Sequence, residues 1–260
     1  MLAPAHAFDG LSFASDQANH KIESIRKSLL AKSWFGFDLD DTLHEFRKAS
    51  RAASSTVFEL ISQTCKANIE ELRTTYSTIL SQKTSNAFAD GKSSDTYRKE
   101  RFSALMKSHS IDFTDTTLDQ LAAAYKNSLE SSLEVKPGAV SLLRRLKHSG
   151  KKVAIVTEGP EDAQKWTLEK LGIASYVDVL ITSNRFGRTK VDGLFGLALK
   201  HLEINAHDVV YIGDSLEKDI YPARAEGILT IAFNETESVV LDVTDFRVDS
   251  LRKLETILRS

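Results

Sequence analysis

Short apolar runs alternate with amphipathic stretches along both flanks of the chain. Five runs are rich in β-branched or aromatic residues, at positions 34–37, 153–156, 177–181, 209–212 and 228–233. Between the later runs, leucine and alanine recur at the three- and four-residue spacing of a helix, and glycine ends two of these stretches. Continuous apolar runs separated by helical patterns are typical of parallel strands that are buried on both faces.

The middle of the chain has a different pattern. Between His44 and Val135 there is no proline and a single glycine, Gly91. Glycine and proline are the residues that most often break helices. The first helical stripe consists of Phe46, Ala49, Ala53, Val57, Leu60 and Ile61. Similar spacing occurs three more times, so this region predicts a bundle of four helices.

The two patterns together predict the domain organisation. We expect an α/β core, a Rossmann-like parallel sheet covered by helices on both faces, formed by residues 1–43 and 136–260. A helical-bundle domain, residues 44–135, is inserted after the first strand. Residues 1–33 form an N-terminal extension that is helical in part. Its apolar residues predict an amphipathic helix on the core, although a membrane-surface or partner-binding role stays open.

Composition and charge narrow the class of protein. The 260 residues contain 34 Lys+Arg and 36 Asp+Glu, a balance that argues against binding nucleic acid. No apolar run approaches the ~18 residues of a membrane span, and the N-terminus lacks the pattern of a signal peptide. The single cysteine, Cys65, excludes an internal disulfide, and we expect it on the apolar face of the first inserted helix. We therefore expect a cytoplasmic protein.

Charged and hydroxyl side chains follow the predicted strands. Asp38 and Asp40 follow the first, Thr157 ends the second, Lys190 comes after the third, and Asp214 follows the fourth. The carboxyl ends of parallel strands meet at one edge of a sheet. Carboxylates gathered there repel each other unless they are protonated or share a cation, and oxygen ligands alone favour Mg²⁺. With a lysine and a hydroxyl nearby, the set indicates phosphoryl transfer.

The order of these residues resembles the four motifs of the haloacid dehalogenase-like (HAD) superfamily. They read Asp38-x-Asp40-x-Thr42, Thr157, Lys190 and Gly213-Asp214-x4-Asp219. The resemblance covers about residues 34–233, and the helical bundle is similar to the cap domain of members with an insertion after the first motif. It implies a Mg²⁺-dependent phosphomonoester hydrolase that acts on a small phosphorylated metabolite through an aspartyl-phosphate.

The resemblance also implies roles at the first and last motifs. Asp38 would be the nucleophile. Asp40 would protonate the leaving oxygen and then act as the base for water. Thr42 would help to hold Asp40. The Mg²⁺ ligands would be Asp38, Asp214 and the backbone carbonyl of Asp40.

The remaining motif residues would bind the phosphoryl group. Thr157, the backbone at Glu158, and Lys190 would contact its oxygens, while Asp219 would lie just outside the metal ligands or replace a water. Two positions depart from the family pattern. Glu158 stands where asparagine or aspartate is common, and Val191 stands where proline is common. Neither departure removes a chemical group, but both weaken any inference about the substrate.

Other activities of the same fold stay in view. A dehalogenase has no use for a second aspartate, so Asp40 argues against it. A phosphomutase uses both aspartates and stays open as the alternative. A catalytically silent binding protein would have lost Asp38, Asp40 or Lys190. The motifs do not identify the substrate, but His44, Glu45 and Arg47 are predicted to contact its leaving group.

Overall fold

The computed structural model describes residues 22–83, 88–233 and 246–259. Its strands are β1 (Trp34–Phe37), β2 (Lys152–Thr157), β3 (Val179–Thr182), β4 (Val209–Gly213), β5 (Leu229–Phe233) and β6 (Phe246–Val248). Its helices are α1 (residues 22–31), α2 (Phe46–Cys65), α3 (Ile69–Lys83), α4 (Ser94–Ser108), α5 (Asp115–Ser131), α6 (Ala139–His148), α7 (Glu161–Lys170), α8 (Ser183–Phe186), α9 (Leu194–Leu202), α10 (Tyr221–Ala225) and α11 (Leu251–Arg259).

The strands form one parallel sheet in the order β3-β2-β1-β4-β5-β6. From β1 the chain extends the sheet to one side through β2 and β3, and then crosses to β4 on the other side. The carboxyl ends of β1 and β4 therefore flank the point where the strand order reverses. Open parallel sheets bind ligands in the crevice at such a point.

Helices cover both faces of this sheet. Side chains along a strand alternate between its faces. Phe35 and Phe37 of β1 pack on one face with apolar residues of α6, α11 and Ile25 of α1. On the opposite face, Tyr211 of β4 packs edge-to-face on Phe195 of α9, with 4.7 Å between ring centroids. The predicted fold class, a Rossmann-like sheet with helices on both faces, is confirmed.

Helices α2–α5, here called the helical insertion, have a hydrophobic cluster of their own. Its centre is aromatic: the Phe58 and Tyr76 rings meet edge-to-face at 5.4 Å, and Tyr76 stacks on Phe102 at 5.9 Å. Such pairs add to the stabilisation that burial of the rings provides. The four predicted helices are present, whereas the domain boundaries at residues 44 and 135 stay a prediction.

The two connections of the helical insertion to the sheet run side by side. His44 forms an antiparallel bridge with Val135. The Lys136 N–H donates to the Leu43 carbonyl at 2.9 Å, one residue further along each connection. The insertion therefore leaves and rejoins the sheet domain at one place, next to the carboxyl end of β1.

Helix α1 packs on the sheet domain as the sequence predicts. Ile25 and Leu29 are buried, whereas Ile22 and Leu30 stay exposed. The remainder of the predicted N-terminal extension, residues 1–21, lies outside the described residues. In the part of the chain that the structure describes, no helix has both the length and the apolar composition of a membrane span.

Two features differ from the sequence predictions. Cys65 is exposed, because it is the last residue of α2 and the buried stripe of this helix ends at Ile61. Strand β6 and helix α11 extend the core beyond β5 and were not predicted. The strand has only three residues, too few for a periodic pattern to indicate it.

Candidate active site

Two predicted acids lie at the carboxyl ends of neighbouring strands. Asp38 directly follows β1, and Asp214 directly follows β4. The Asp38 N–H donates to the Ile212 carbonyl at 2.9 Å, which continues the pairing of β1 with β4 past the end of β1. The pairing of the two strands thereby fixes the backbone positions from which the Asp38 and Asp214 side chains extend. Asp38 is 6% exposed, so its side chain lies within the protein at this edge.

Lys190 reaches this edge from the turn after β3. It begins a short 3-10 turn and is 3% exposed. Its Nζ lies 2.5 Å from Asp38 Oδ1 and 2.6 Å from Asp219 Oδ1. The neighbouring cation Arg188 points elsewhere and pairs with Asp192 at 2.9 Å. The structure therefore brings Lys190, and not Arg188, to the predicted nucleophile.

Asp219 holds Lys190 in place. Besides the lysine, it accepts hydrogen bonds from the Tyr211 hydroxyl and from the Ser215 N–H, both at 3.0 Å. A β-carbon on Gly213 would lie 2.5 Å from the Asp219 side chain, so only glycine allows this close approach. Its oxygens are thus already engaged, and we assign Asp219 a positioning role behind the cluster.

The charges of this cluster shift the pKa values of its members. Burial raises the pKa of Asp38 well above its ordinary value; Lys190 acts against this rise, and the charges of Asp219 and Asp40 add to it. Burial alone would lower the pKa of Lys190, but the charges of Asp219 and Asp38 outweigh it and raise the pKa. The lysine therefore stays a cation at neutral pH and offers fixed positive charge where an anion would bind.

The acidic side chains fit a divalent metal ion. Carboxylate oxygens of Asp38, Asp214 and Asp219 lie within 4.8 Å of one another. Burial, and after it the charge of Asp219, raises the pKa of Asp214 to about 6. The charges of Arg47 and Lys190 act against this rise but do not cancel it, so the ionised form of Asp214 is left undercompensated. Hard oxygen donors suit Mg²⁺, and Asp38 and Asp214, which accept fewer hydrogen bonds than Asp219, would serve as its ligands.

Asp40 and Thr42 have different partners from those expected. Thr42 was predicted to hold Asp40, but its hydroxyl donates to Asp38 Oδ2 at 3.3 Å. His44 instead contacts Asp40, with 2.9 Å between His44 Nε2 and Asp40 Oδ1. His44 is fully buried, so we assign its ring a role in positioning Asp40, and its predicted contact with the leaving group stays a prediction. The sequence signal for this contact is the separation of only four residues between Asp40 and His44.

The predicted phosphate-binding residues differ in how their side chains are placed. Thr157 ends β2, is 1% exposed, and its hydroxyl has no hydrogen-bond partner among the described residues. A buried hydroxyl without a partner is costly, so it suits a site that a ligand oxygen completes. Glu158 is placed otherwise. Its Oε1 accepts the Lys190 N–H at 3.0 Å and its Oε2 lies 3.3 Å from Lys218 Nζ, so the side chain positions the Lys190 turn.

Arg47 is a further contact between the helical insertion and the edge. Its Nη2 lies 3.4 Å from Asp214 Oδ2 and its Nε lies 3.2 Å from Asp41 Oδ2. The side chain is 74% exposed, and exposed ion pairs contribute little to stability. Arg47 was predicted only as a contact of the leaving group. Its contact with Asp214, which lies 167 residues away in sequence, could not be inferred from residue spacing.

Comparison with known proteins decides the family. The family model described as haloacid dehalogenase-like hydrolase matches residues 36–233, which include every residue of the cluster. The chain belongs to the haloacid dehalogenase-like hydrolase family. The resemblance that the motifs indicate is thereby confirmed, and helices α2–α5 are the cap insertion that is typical of the family.

Named relatives of this HAD hydrolase are phosphatases. It is 29% identical over 231 residues to the glyceraldehyde 3-phosphate phosphatase of Methanocaldococcus jannaschii, a match that covers 86% of this chain and 96% of the relative. It is 35% identical over 118 residues to the ribulose-1,5-bisphosphate 5-phosphatase of Halopiger xanaduensis, covering 45% and 49%. The predicted enzyme class, a HAD-like phosphatase, is confirmed.

Solved structures show the same fold. The HAD-hydrolase YfnB from Bacillus subtilis, in a crystal structure bound to magnesium, superposes with a TM-score of 0.68 at 25% identity. The match covers 88% of this HAD hydrolase and 99% of that chain. The sheet and the helical insertion therefore have a counterpart in a protein of this family that holds magnesium.

The raised pKa of Asp214 predicts a pH-dependent cost in the metal-free HAD hydrolase. The folded-state pKa of about 6 lies above the ordinary value of 3.8, so the folded protein binds more protons than the unfolded chain between these values. Its stability therefore falls as the pH rises from about 4 to 6. We expect Asp214→Asn to raise the unfolding free energy above pH 6 by about 1 kcal/mol, after allowance for solvent screening.

Thermal unfolding in EDTA at pH values on either side of this range measures the effect. The variant should be stabilised at the higher pH and close to wild type at the lower one. Addition of Mg²⁺ should reverse the order, because metal bound at the acidic cluster would stabilise the wild-type fold and the variant would lack one of its expected ligands. An equal gain at both pH values would show that Asp214 is not the titrating group.

Proposed function

We propose that the chain is a Mg²⁺-dependent phosphomonoester hydrolase that acts through an aspartyl-phosphate on Asp38. The observation that carries this proposal is the position of the Asp38 side chain, which Lys190 Nζ contacts at 2.5 Å and the Thr42 hydroxyl contacts at 3.3 Å. A carboxylate held by two donors at the carboxyl end of a central strand has one defined orientation. Such a group is suited to attack an electrophile that enters from the crevice.

The residues around Asp38 would stabilise the charge of a transferring phosphoryl group. In phosphoryl transfer the main catalytic need is charge stabilisation and positioning. Lys190 supplies a buried positive charge, and the unpartnered Thr157 hydroxyl supplies a donor. When bound, Mg²⁺ held by Asp38, Asp214 and the Asp40 carbonyl would neutralise part of the phosphoryl charge. Asp219 would keep Lys190 in place through the contact at 2.6 Å.

Asp40 would move the proton of the leaving group. It lies two residues beyond Asp38, borders the cavity between the helical insertion and the sheet, and is held by His44. In the first half-reaction Asp40 would donate a proton to the leaving oxygen as the Asp38–phosphorus bond forms. In the second half-reaction it would accept a proton from the water that attacks the aspartyl-phosphate. The bond from phosphorus to the leaving oxygen breaks in the first step and the bond from phosphorus to Asp38 breaks in the second, which regenerates the Asp38 carboxylate and releases inorganic phosphate.

The size of the cavity and the names of the relatives support a proposal for the substrate class. The cavity holds about 290 Å³, near the lower end of the ~300–1,000 Å³ of small-molecule sites. Two relatives carry the names glyceraldehyde 3-phosphate phosphatase and ribulose-1,5-bisphosphate 5-phosphatase. Both substrates are small phosphorylated metabolites, and a compound of this class is the proposed substrate here.

Phosphate release from a panel of metabolites and from a generic aryl phosphate tests the proposal. With Mg²⁺ we expect release at rates above those of the uncatalysed reaction, and with EDTA we expect loss of about 10²-fold or more. Restoring Mg²⁺ should restore the rate. Product analysis separates hydrolysis from phosphomutase activity, because a mutase returns an isomeric sugar phosphate and no inorganic phosphate. Release that is insensitive to EDTA would contradict the metal requirement.

A further inference from the structure

A cavity separates the helical insertion from the sheet edge that carries Asp38. Asp40 and Glu158 border it from the sheet, and Arg98 and Arg101 border it from α4. Much of the remaining wall is apolar or aromatic and includes Phe46, Leu80, Phe88, Leu129 and Trp166. A substrate whose phosphate reached Asp38 would place its organic part here, so the side chains of α4 would contact the end opposite the phosphate.

Arg98 is a buried cation in the wall of this cavity. The residue is 7% exposed, and its guanidinium carbon lies 5.5 Å from the centre of the Tyr125 ring. Among the residues that the structure describes, no carboxylate lies within ion-pair distance of its guanidinium, which also donates no hydrogen bond. The nearby carboxylate of Asp162 instead accepts the hydroxyl and the N–H of Ser94, at 2.7 and 3.0 Å.

A buried guanidinium without an anion is an unusual arrangement. Burial lowers the pKa of Arg98, but a guanidinium stays protonated at neutral pH. Burying an unpaired charge is costly, and the aromatic ring offsets only part of that cost. The planar fork of N–H donors matches a carboxylate or a phosphate, to which it can bind through two parallel hydrogen bonds. A ligand that carried an anionic group into the cavity would supply the partner that Arg98 lacks among the described residues.

We propose that Arg98 recognises a second anionic group, a carboxylate or a phosphate, on the organic part of the substrate. This rests on the proposed function, in which the first anionic group is the phosphate at Asp38. Arg101, one helical turn further along α4, lines the same cavity and adds positive charge. Gln164 is 5% exposed, and its side-chain oxygen has no partner among the described residues. That oxygen would accept a hydroxyl of the substrate.

Paired substrates that differ in one group test the proposal. The compounds 3-phosphoglycerate and glycerol 3-phosphate differ by a carboxylate in place of a hydroxymethyl group. With Mg²⁺ we expect kcat/KM to favour 3-phosphoglycerate by about 10- to 100-fold, the range of a buried charge-assisted contact. A second pair, ribulose 1,5-bisphosphate and ribulose 5-phosphate, differs by one phosphate and shows whether Arg98 recognises a phosphate as well as a carboxylate.

Variants assign the preference to Arg98. In Arg98→Met the ratio of kcat/KM within each pair should fall to near one, and Arg98→Lys, which keeps the charge, should retain part of the preference. Arg73→Met is the matched control. Arg73 is an arginine of the same insertion that also lies over an aromatic ring, Phe58, at 6.0 Å, but it does not line the cavity. In Arg73→Met the ratio of kcat/KM within each pair should equal that of wild type.

A binding measurement separates this proposal from the proposed function. In an Asp38→Asn background, calorimetry should show that Arg98→Met weakens the binding of 3-phosphoglycerate by about 10- to 100-fold while glycerol 3-phosphate changes little. This readout does not need turnover, so it stands even if no phosphate is released. If Arg98→Met lowers only the melting temperature and leaves the substrate ratios and affinities unchanged, Arg98 is a packing residue and the proposal is wrong.

Discussion

Replacing Asp38 by asparagine is expected to reduce phosphate release by ~10⁴-fold or more, the scale of losing a covalent nucleophile. The amide cannot form the acyl-phosphate, although it keeps the size of the side chain and an oxygen that can accept from Lys190. Since burial raises the pKa of Asp38, a neutral side chain at this position should not unfold the protein. Phosphate release at saturating substrate, together with a thermal melt, measures both expectations.

Asp41→Asn is the matched control for this variant. Asp41 is also an acid of the first motif, but its carboxylate faces Arg47, accepting the Arg47 N–H at 3.0 Å. Its backbone has a φ of 64°, a conformation that asparagine adopts more readily than most residues. The control should keep activity within about threefold of wild type, because asparagine keeps an oxygen for the Arg47 N–H and Asp41 has no proposed role at the phosphoryl group. Turnover in Asp38→Asn equal to that of the control would refute the assignment of the nucleophile.

Removing Lys190 is expected to affect both catalysis and stability. In Lys190→Met the phosphoryl group loses its buried cation, and kcat should fall by about 10³-fold. Asp38 and Asp219 also lose the ammonium that each contacts, at 2.5 and 2.6 Å. Breaking a buried ion pair from one side typically costs about 3–5 kcal/mol. Chemical unfolding without metal should therefore show a large loss of stability.

A second buried lysine separates the two effects. Lys136 is 4% exposed and lies 2.9 Å from Glu45, but it is not part of the acidic cluster. Lys136→Met should therefore lose stability without a comparable loss of kcat per folded molecule. If Lys190→Met retains most of its kcat, the lysine is a structural partner of the two aspartates and does not act on the phosphoryl group.

The sheet and the position of the acids followed from the sequence because they depend on local patterns. Short apolar runs are long enough to mark strands, and strands of one parallel sheet end at a common edge. Asp38 and Asp214 could therefore be placed together although the chain between them is long. Spacing also distinguished Lys190 from Arg188, and the structure places only Lys190 at the cluster.

Other parts of the site depend on tertiary contacts that no periodicity encodes. The Thr42 hydroxyl and the His44 ring could each have reached either aspartate, and the course of the backbone after β1 decides between them. The contact of Arg47 with Asp214 depends on how the insertion sits on the sheet. Arg98 lay within a helical pattern, and only the packed structure shows that it is buried without a carboxylate.

The paired backbone connections beside β1 have a mechanical consequence. Two adjacent connections would restrict the helical insertion to rotation about a single hinge axis, whereas one connection would allow rotation in any direction. His44 lies in the first of these connections and forms the bridge with Val135 in the second, and its ring contacts Asp40. Rotation of the helical insertion would thus shift the Asp40 side chain, which is proposed to carry the proton. A change in the tilt of the helical insertion would therefore reach Asp40 through the His44 ring.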